Sequence, residues 1–448
     1  MYDLKEITIR NLQKLYYDKK IRVREVVEFY LDRFHTLDQG KGGLNSVLEI
    51  NPDAMEIAKD LDNRGYDQDQ ILYGVPVLLK DNIATADRMH TSAGSVALGD
   101  SIAIDDADVV KALRKQGALI LGKTNMTEFA NFMTKNMPAG YSSRGGKVLH
   151  PYNREKDPSG SSTGSAVAVA ANLCMTSIGT DTSNSIVAPG LAHGIVGLRP
   201  SIGSISQRGI IPISFTLDTA GPFTRTVEDT AIMYAGLTDT PIVQGTFDLA
   251  GKTIAYNIWN MEKQAKETVA KTEVVLKELE KAGARIKRVH IEKTPHIMNL
   301  MKYEFKYGIN QYLNTFTSNY PIKTLSDIIE YNRKHEKEAL KYGQTYLIDA
   351  EETSGNMDEK AYLAVLQDRE ERKKKIREQL EGTDCCIMLS FNNILMYTGL
   401  PEITIPCGLD SENMPFGIAV TALTNEKLIS MAYGIERIVG QRVEPIFR

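Results

Sequence analysis

The chain has 448 residues, 42% of them hydrophobic and 25% charged; this ordinary globular composition can bury a large core and leaves one to three domains open. Its 53 basic and 57 acidic side chains give a net charge of −4, which argues against nucleic acid and anionic membrane as partners, since both select basic surfaces. No apolar run in the sequence approaches the roughly 18 to 20 residues that span a bilayer. The amino terminus lacks the basic start and apolar stretch of a secretory leader, and the four cysteines include no CxxC pair, so a soluble cytoplasmic protein with reduced, buried thiols is expected.

In chain order, Val23, Val26, Val27, Tyr30, Leu31 and Phe34 fall on one helix face. Ile71 to Lys80 and Gly117 to Lys123 are short apolar runs after turn residues, the pattern of strands buried on both faces. From Asp157 to Gly221 the composition shifts to Gly, Ser, Thr and Ala with few charges. Gly251 to Asn257, a helical span carrying Val269, Val275, Leu276 and Leu279, and Ala284 to Ile291 read as a strand, helix, strand unit of an α/β fold. Residues from about 295 to about 380 are charged and helical, and the mixed signs of Asp368 to Glu378 suit a solvated helix face. Strands return around Ile403 and Ile418, and a helix closes the chain near Glu426 to Val439.

Common hydrolase patterns are missing: there is no GxSxG elbow and no HExxH, and the seven histidines show no metal-ligand spacing. Gly117 to Thr124 matches GxxxxGK[ST] formally, but its middle is Ala-Leu-Ile-Leu, a strand sequence that cannot curl around a phosphate. What remains is a serine-rich loop, Pro158 to Ser165, running into the helix Ala166 to Ala171, and a second loop, Gly179 to Ile186. Such loops bring hydroxyls and bare backbone N–H groups together, as acyl transfer requires of a nucleophile, a proton carrier and an oxyanion hole. By themselves they read more readily as two Ser/Gly connecting turns.

Together with Tyr73 to Ile83 (YGVPVLLKDNI), these loops resemble the amidase signature family, whose pattern is GVPxxxKD, GGSSGGS, GTDTGGSIRxP and then a GLxP strand, filled here by Gly197 to Pro200. The twenty-four residues between Ser161 and Ser185 match the spacing of the family's two loops, and Gly122 to Ala130 and Gly399 to Pro406 extend the match over most of the chain. The resemblance implies one α/β/α domain over residues 1–448 with a large mixed sheet, a signature core at about 70–230 and a helical substrate-pocket region at about 295–380. It implies amide hydrolysis without metal or organic cofactor. Ser185 would be the nucleophile, Ser161 the bridging serine after a cis bond from Gly160, and Lys80 a base, burial having pulled its amine down from about 10.4. Backbone N–H groups of Thr182, Ser183, Asn184 and Ser185 would form the oxyanion hole, and Met126, Glu128 and Phe129 would line the acyl pocket or pack a helix start. Asp181 is expected to order the nucleophile loop, Lys123 is the weaker candidate base, and His193 is read as a packed loop histidine.

The chain departs from the family pattern where Ser183 and Asn184 replace two glycines, Val187 an arginine and Ser159 the first glycine of the serine-rich loop. Asn184 is the departure expected to matter most. The valine, with Gly209 to Pro222, looks most like the peptide amidase branch, which releases ammonia from C-terminal peptide amides. The glutamine-hydrolysing component of a tRNA-dependent amidotransferase is the nearer alternative, weakened because its Asp-Gln-Ile-Gly-Pro is Asp-Thr-Ala-Gly-Pro here, Asp218 to Pro222. A non-catalytic binding protein on the same fold is the other. The expected partner is a peptide or small-molecule amide substrate, with no nucleic acid and no membrane; the oligomeric state stays open.

Overall fold

A computed structural model describes residues 2–317, 320–389 and 391–447. Thirteen strands are seen among them: β1 (Val47–Ile50), β2 (Pro76–Lys80), β3 (Leu119–Thr124), β4 (Tyr141–Ser142), β5 (Gly146–Lys147), β6 (Thr176–Asp181), β7 (Val196–Arg199), β8 (Thr219–Thr224), β9 (Thr253–Asn257), β10 (Arg285–Val289), β11 (Cys385–Met388), β12 (Glu402–Leu409) and β13 (Pro415–Thr421). Eleven form one mixed sheet in the order β1-β3-β2-β6-β8-β7-β12-β13-β11-β9-β10, and β4 and β5 make a separate hairpin. The α/β class and the large mixed sheet expected from the sequence are both present.

Every residue of β2, β3, β6 and β8 is buried, which is why these strands read as unbroken apolar or small-residue runs rather than as an alternation. The first apolar run is extended only from Pro76, because the chain before it turns through Gly74 at φ 65°. Lys123 lies inside β3 with its amine on the Ile83 carbonyl (2.6 Å) and the Thr91 hydroxyl (2.9 Å), so the formal phosphate-loop match is a strand. At the far edge β10 exposes Arg285 and Arg288, charges that discourage pairing by another strand.

Helices cover the sheet. The amino-terminal helix Val23–Arg33 buries Val23, Val26, Val27 and Tyr30, the face read from its period. The strand, helix, strand unit appears as β9, the helix Lys266–Lys281 and β10, with β9 and β10 parallel. Helix Thr163–Ala170 is buried at all eight positions; its small side chains let it lie against the sheet. Between 297 and 380 the helices Ile297–Phe316, Leu325–Lys334, Thr345–Glu351 and Lys360–Leu380 build the expected helical region. Arg369 departs from the solvated face expected of its run: it is buried and donates to the carbonyl oxygens of Tyr397 and Thr216. Among the described residues no helix is long and apolar enough to cross a membrane.

Candidate active site

β2 and β6 are parallel neighbours, with Leu79 opposite Ile178, so Lys80 and Asp181 leave the sheet side by side at its carboxyl edge, where α/β sheets place their chemistry. The loop after β6 carries Ser185. The serine-rich loop approaches from the other side: the Thr127 N–H donates to the Ser161 carbonyl (3.1 Å) and the Ser162 N–H to the Ser185 carbonyl (3.3 Å). The peptide bond from Gly160 to Ser161 is cis.

These loops bring Lys80, Ser161 and Ser185 into one hydrogen-bonded row. Lys80 Nζ lies 2.8 Å from Ser161 Oγ, and Ser161 Oγ lies 2.9 Å from Ser185 Oγ. The amine also donates to Ser162 Oγ (2.9 Å), Thr180 Oγ1 (2.8 Å) and the Thr180 carbonyl (3.2 Å). Burial pulls Lys80 down to about 7, against the carboxylates of Asp181 and Asp218, which raise it. Its amine is therefore available to take a proton near neutrality. Lys123, at about 8 through the same cause, is bonded elsewhere and touches neither serine. None of the described histidines bonds to either serine; His193 is buried, with Nδ1 2.8 Å from the Pro189 carbonyl and its ring stacked on His150.

The Asp181 carboxylate pairs with Arg199 (3.1 Å) and accepts the Ile186 N–H (2.7 Å), both inside the core, so it orders the loop that carries Ser185. The N–H groups of Thr182, Ser183, Asn184 and Ser185 have no acceptor among the described residues. Ser183 and Asn184 are half-buried and Ser185 is 8% exposed. Neither Ser183 nor Asn184 takes a positive φ. The departure that changes the backbone is Ser159, whose φ is 56°. The left-handed turn among the four departures thus falls at Ser159, where a side chain is strained, and not at Asn184.

Met126, Glu128 and Phe129 are all buried beside the Ser161 loop. Phe129 packs edge-on against Phe305 of the helical region. The Glu128 carboxylate accepts the Ser143 N–H (2.8 Å), its other oxygen has no partner, and burial pushes it up to about 7. Ser162, Thr180 and Asn82 went unread in the sequence as neighbours of the amine; Asn82 donates to Thr180 Oγ1 (3.1 Å). All three lie within segments already singled out, but that Thr180 meets the amine follows only from strand register. Among the described residues no His, Cys, Asp and Glu cluster could hold a metal ion.

A buried amine joined through one hydroxyl to a second, beneath a row of free N–H groups on a helix-covered mixed sheet, is an arrangement able to deprotonate a hydroxyl and to receive a developing negative charge. The chain belongs to the amidase family, whose sequence profile matches residues 25–388. It is 35% identical to the probable amidase of Arabidopsis thaliana over 100% of this chain and 92% of that protein. The crystal structure of peptide amidase from Stenotrophomonas maltophilia is similar at 34% identity and a TM-score of 0.91, over 99% of each chain. A glutamyl-tRNA(Gln) amidotransferase component of Alkaliphilus metalliredigens is 30% identical over 98% of this chain and 97% of that one. The protein is accordingly an amidase, a hydrolase acting on amides.

Proposed function

We propose that the chain hydrolyses C-terminal peptide amides, or small amides like them, to acid and ammonia through an acyl-enzyme on Ser185. The observation that carries this reading is the row Lys80, Ser161, Ser185, with gaps of 2.8 and 2.9 Å. With Lys80 neutral, the Ser185 hydroxyl donates to Ser161 and the Ser161 hydroxyl to Nζ. Ser185 Oγ attacks the amide carbon while its proton passes through Ser161 to Lys80. The carbonyl oxygen, becoming negative, meets the N–H groups of residues 182–185. As the C–N bond breaks, Lys80 returns the proton through Ser161 to the leaving nitrogen, and ammonia departs. Water then attacks the acyl carbon by the same relay, releasing the acid and restoring Ser185. With strands from Val47 to Thr421 in one sheet, the whole of 1–448 is read as a single catalytic domain, its helical region at about 295–380 closing the substrate side, with Met126, Glu128 and Phe129 behind the acyl pocket. The cell interior is the expected location.

The similarity to peptide amidase supports the choice of substrate. The similarity to the amidotransferase component supports a second reading, glutamine hydrolysis beside a partner, which Thr219 and Ala220 in the Asp218 to Pro222 segment weaken. Ammonia release from a panel of peptide amides, with glutamine for comparison, separates the two. Wild type is expected to prefer the peptide amides. Ser185→Ala and Lys80→Ala should each lose about a thousandfold or more in kcat. Because the base must be deprotonated, kcat/KM should rise with pH through about 7 and then level. Glutamine as the preferred substrate would move the assignment to the amidotransferase reading, and Ser185→Ala turning over at the wild-type rate would end the acyl-enzyme mechanism.

A further inference from the structure

The segment from Gly209 to Asp218 runs between the catalytic edge of the sheet and the helical region, and it is tied to both. On the sheet side Asn82 accepts the Ile211 N–H (2.8 Å) and donates to the Ile211 carbonyl (3.3 Å). On the helical side Glu304, fully buried in helix Ile297–Phe316, accepts the Thr216 N–H (3.0 Å), the hydroxyls of Ser214 and Thr216, and Tyr362 OH (2.8 Å). The segment ends at Asp218. One carboxylate oxygen of Asp218 accepts the N–H groups of Ile213 (2.9 Å) and Ser214 (3.0 Å), and the other accepts the Thr182 hydroxyl at 2.7 Å. Thr182 heads the row of unpartnered N–H groups.

All three partners donate to Asp218, which favours its carboxylate form, while burial pushes it up to about 7. No arginine or lysine pairs with it among the described residues, whereas the neighbouring Asp181 is matched by Arg199. In its carboxylate form it helps the Lys80 amine to hold its proton. The geometry points to Asp218 as a positioning residue for acyl transfer: it pins Thr182, and through Thr182 the oxyanion row, to a segment that the helical region clamps by Glu304, and its carboxylate charge acts on the Lys80 amine. This inference rests on the acyl-enzyme reading above.

Three variants separate its parts. Thr182→Val cuts the bond and takes one donor from the charge; Thr182→Ser keeps both; Asp218→Asn removes the charge, and a reversed Thr182 hydroxyl can still donate to or accept from the new amide. Two readouts are taken on each, with a thermal melt as the check on folding: the rate at which a fluorophosphonate labels Ser185, which needs no amide substrate, and the pH profile of kcat/KM for ammonia release. Thr182→Val is expected to lose about tenfold or more in labelling rate and in kcat with KM little changed, since oxyanion donors act on the transition state. Thr182→Ser should recover most of that loss. Removing the negative charge favours the neutral amine, so Asp218→Asn should move the acid limb to lower pH, and Thr182→Val, which takes a donor from the carboxylate and so favours its neutral form, should move it the same way by less. A bystander carboxylate would not move the limb. Thr182→Val labelling at the wild-type rate, Thr182→Ser falling as far as Thr182→Val, or an unmoved limb in Asp218→Asn would each overturn the inference. Should Asp218→Asn fail to fold, the two Thr182 variants decide it. A wild-type chain that neither labels nor releases ammonia overturns the acyl-enzyme reading and this inference with it.

Discussion

Ser159 shows how one side chain can be costly without touching any reacting group. Its φ of 56° puts Cβ against the following carbonyl, a clash of about 1 kcal/mol or more for a residue other than glycine. The loop compensates locally: Asp157 accepts the Ser159 N–H (2.7 Å), and the Thr163 hydroxyl donates to the Ser159 carbonyl (2.6 Å). Ser159→Gly keeps both backbone contacts and relieves the clash, at the expense of a looser unfolded chain. It is expected to raise stability by about 1 kcal/mol in urea unfolding and to leave the Ser185 labelling rate unchanged; a lower unfolding midpoint would show that the left-handed turn carries no strain. Ser183 and Asn184 are the opposite case. At ordinary φ they cost the backbone nothing.

At the scale of elements, the buried helix Thr163–Ala170 explains why the serine-rich loop sits where it does. Its Ala, Val and Gly side chains are short, and Gly164 comes so close to the β1 and β3 side of the sheet that a Cβ there would overlap the backbone oxygens of Ser46 and Asn125. Those atoms belong to backbone held by other bonds and cannot step aside, in contrast to the end of a flexible side chain. Gly164→Ala is therefore expected to destabilise by about 3 kcal/mol or more, read as a drop in melting temperature, and to lower the labelling rate because Ser161 lies three residues away. A melting temperature within about 2 °C of wild type would mean that the helix can slide and does not fix the loop.

For the whole molecule, the unusual feature is the number of carboxyl groups taken into the core. Burial pushes Asp229 up to about 6, Glu128, Asp218 and Glu436 to about 7 and Glu402 to about 8. Between the unfolded carboxyl range of about 4 and these values, the folded chain binds more protons than the unfolded one. Their contribution to stability is therefore fully present below about pH 4 and is lost as pH rises through about 6 to 8. Paired carboxylates such as Glu6, lowered by Arg442 despite its burial, act in the opposite sense only below about pH 4.5. Lys80, with its folded value lowered to about 7, adds stability with rising pH only above that point. The melting temperature is accordingly expected to fall from about pH 5 to about pH 7, and Glu402→Gln, which keeps the shape and cannot ionise, should flatten the fall. A flat or rising profile in wild type would show that these groups are hydrated and titrate normally.

How much of this was legible in the chain follows the range of the interactions involved. Strand and helix identities along β2, β3, β9 and β10 came from local apolar pattern, and Lys80, Ser161 and Ser185 from motifs in which every residue is a near neighbour of the next. Arg369, Glu304 and Asp218 were not readable in that way. Arg369 sits in a run of alternating charges that suits solvent, yet it is buried because Tyr397 and Thr216, far along the chain, offer it carbonyl oxygens. Thr180 reaches the amine only because β6 lies parallel to β2 in one register. By itself the sequence determined the α/β class and which residue types stand in the signature loops, since both depend on contacts short in sequence. Tertiary structure alone decided which hydroxyls meet the buried amine, that Ser159 and not Asn184 bears the left-handed turn, and that Glu304 of the helical region holds the segment before Asp218, because burial and register join residues the chain keeps far apart.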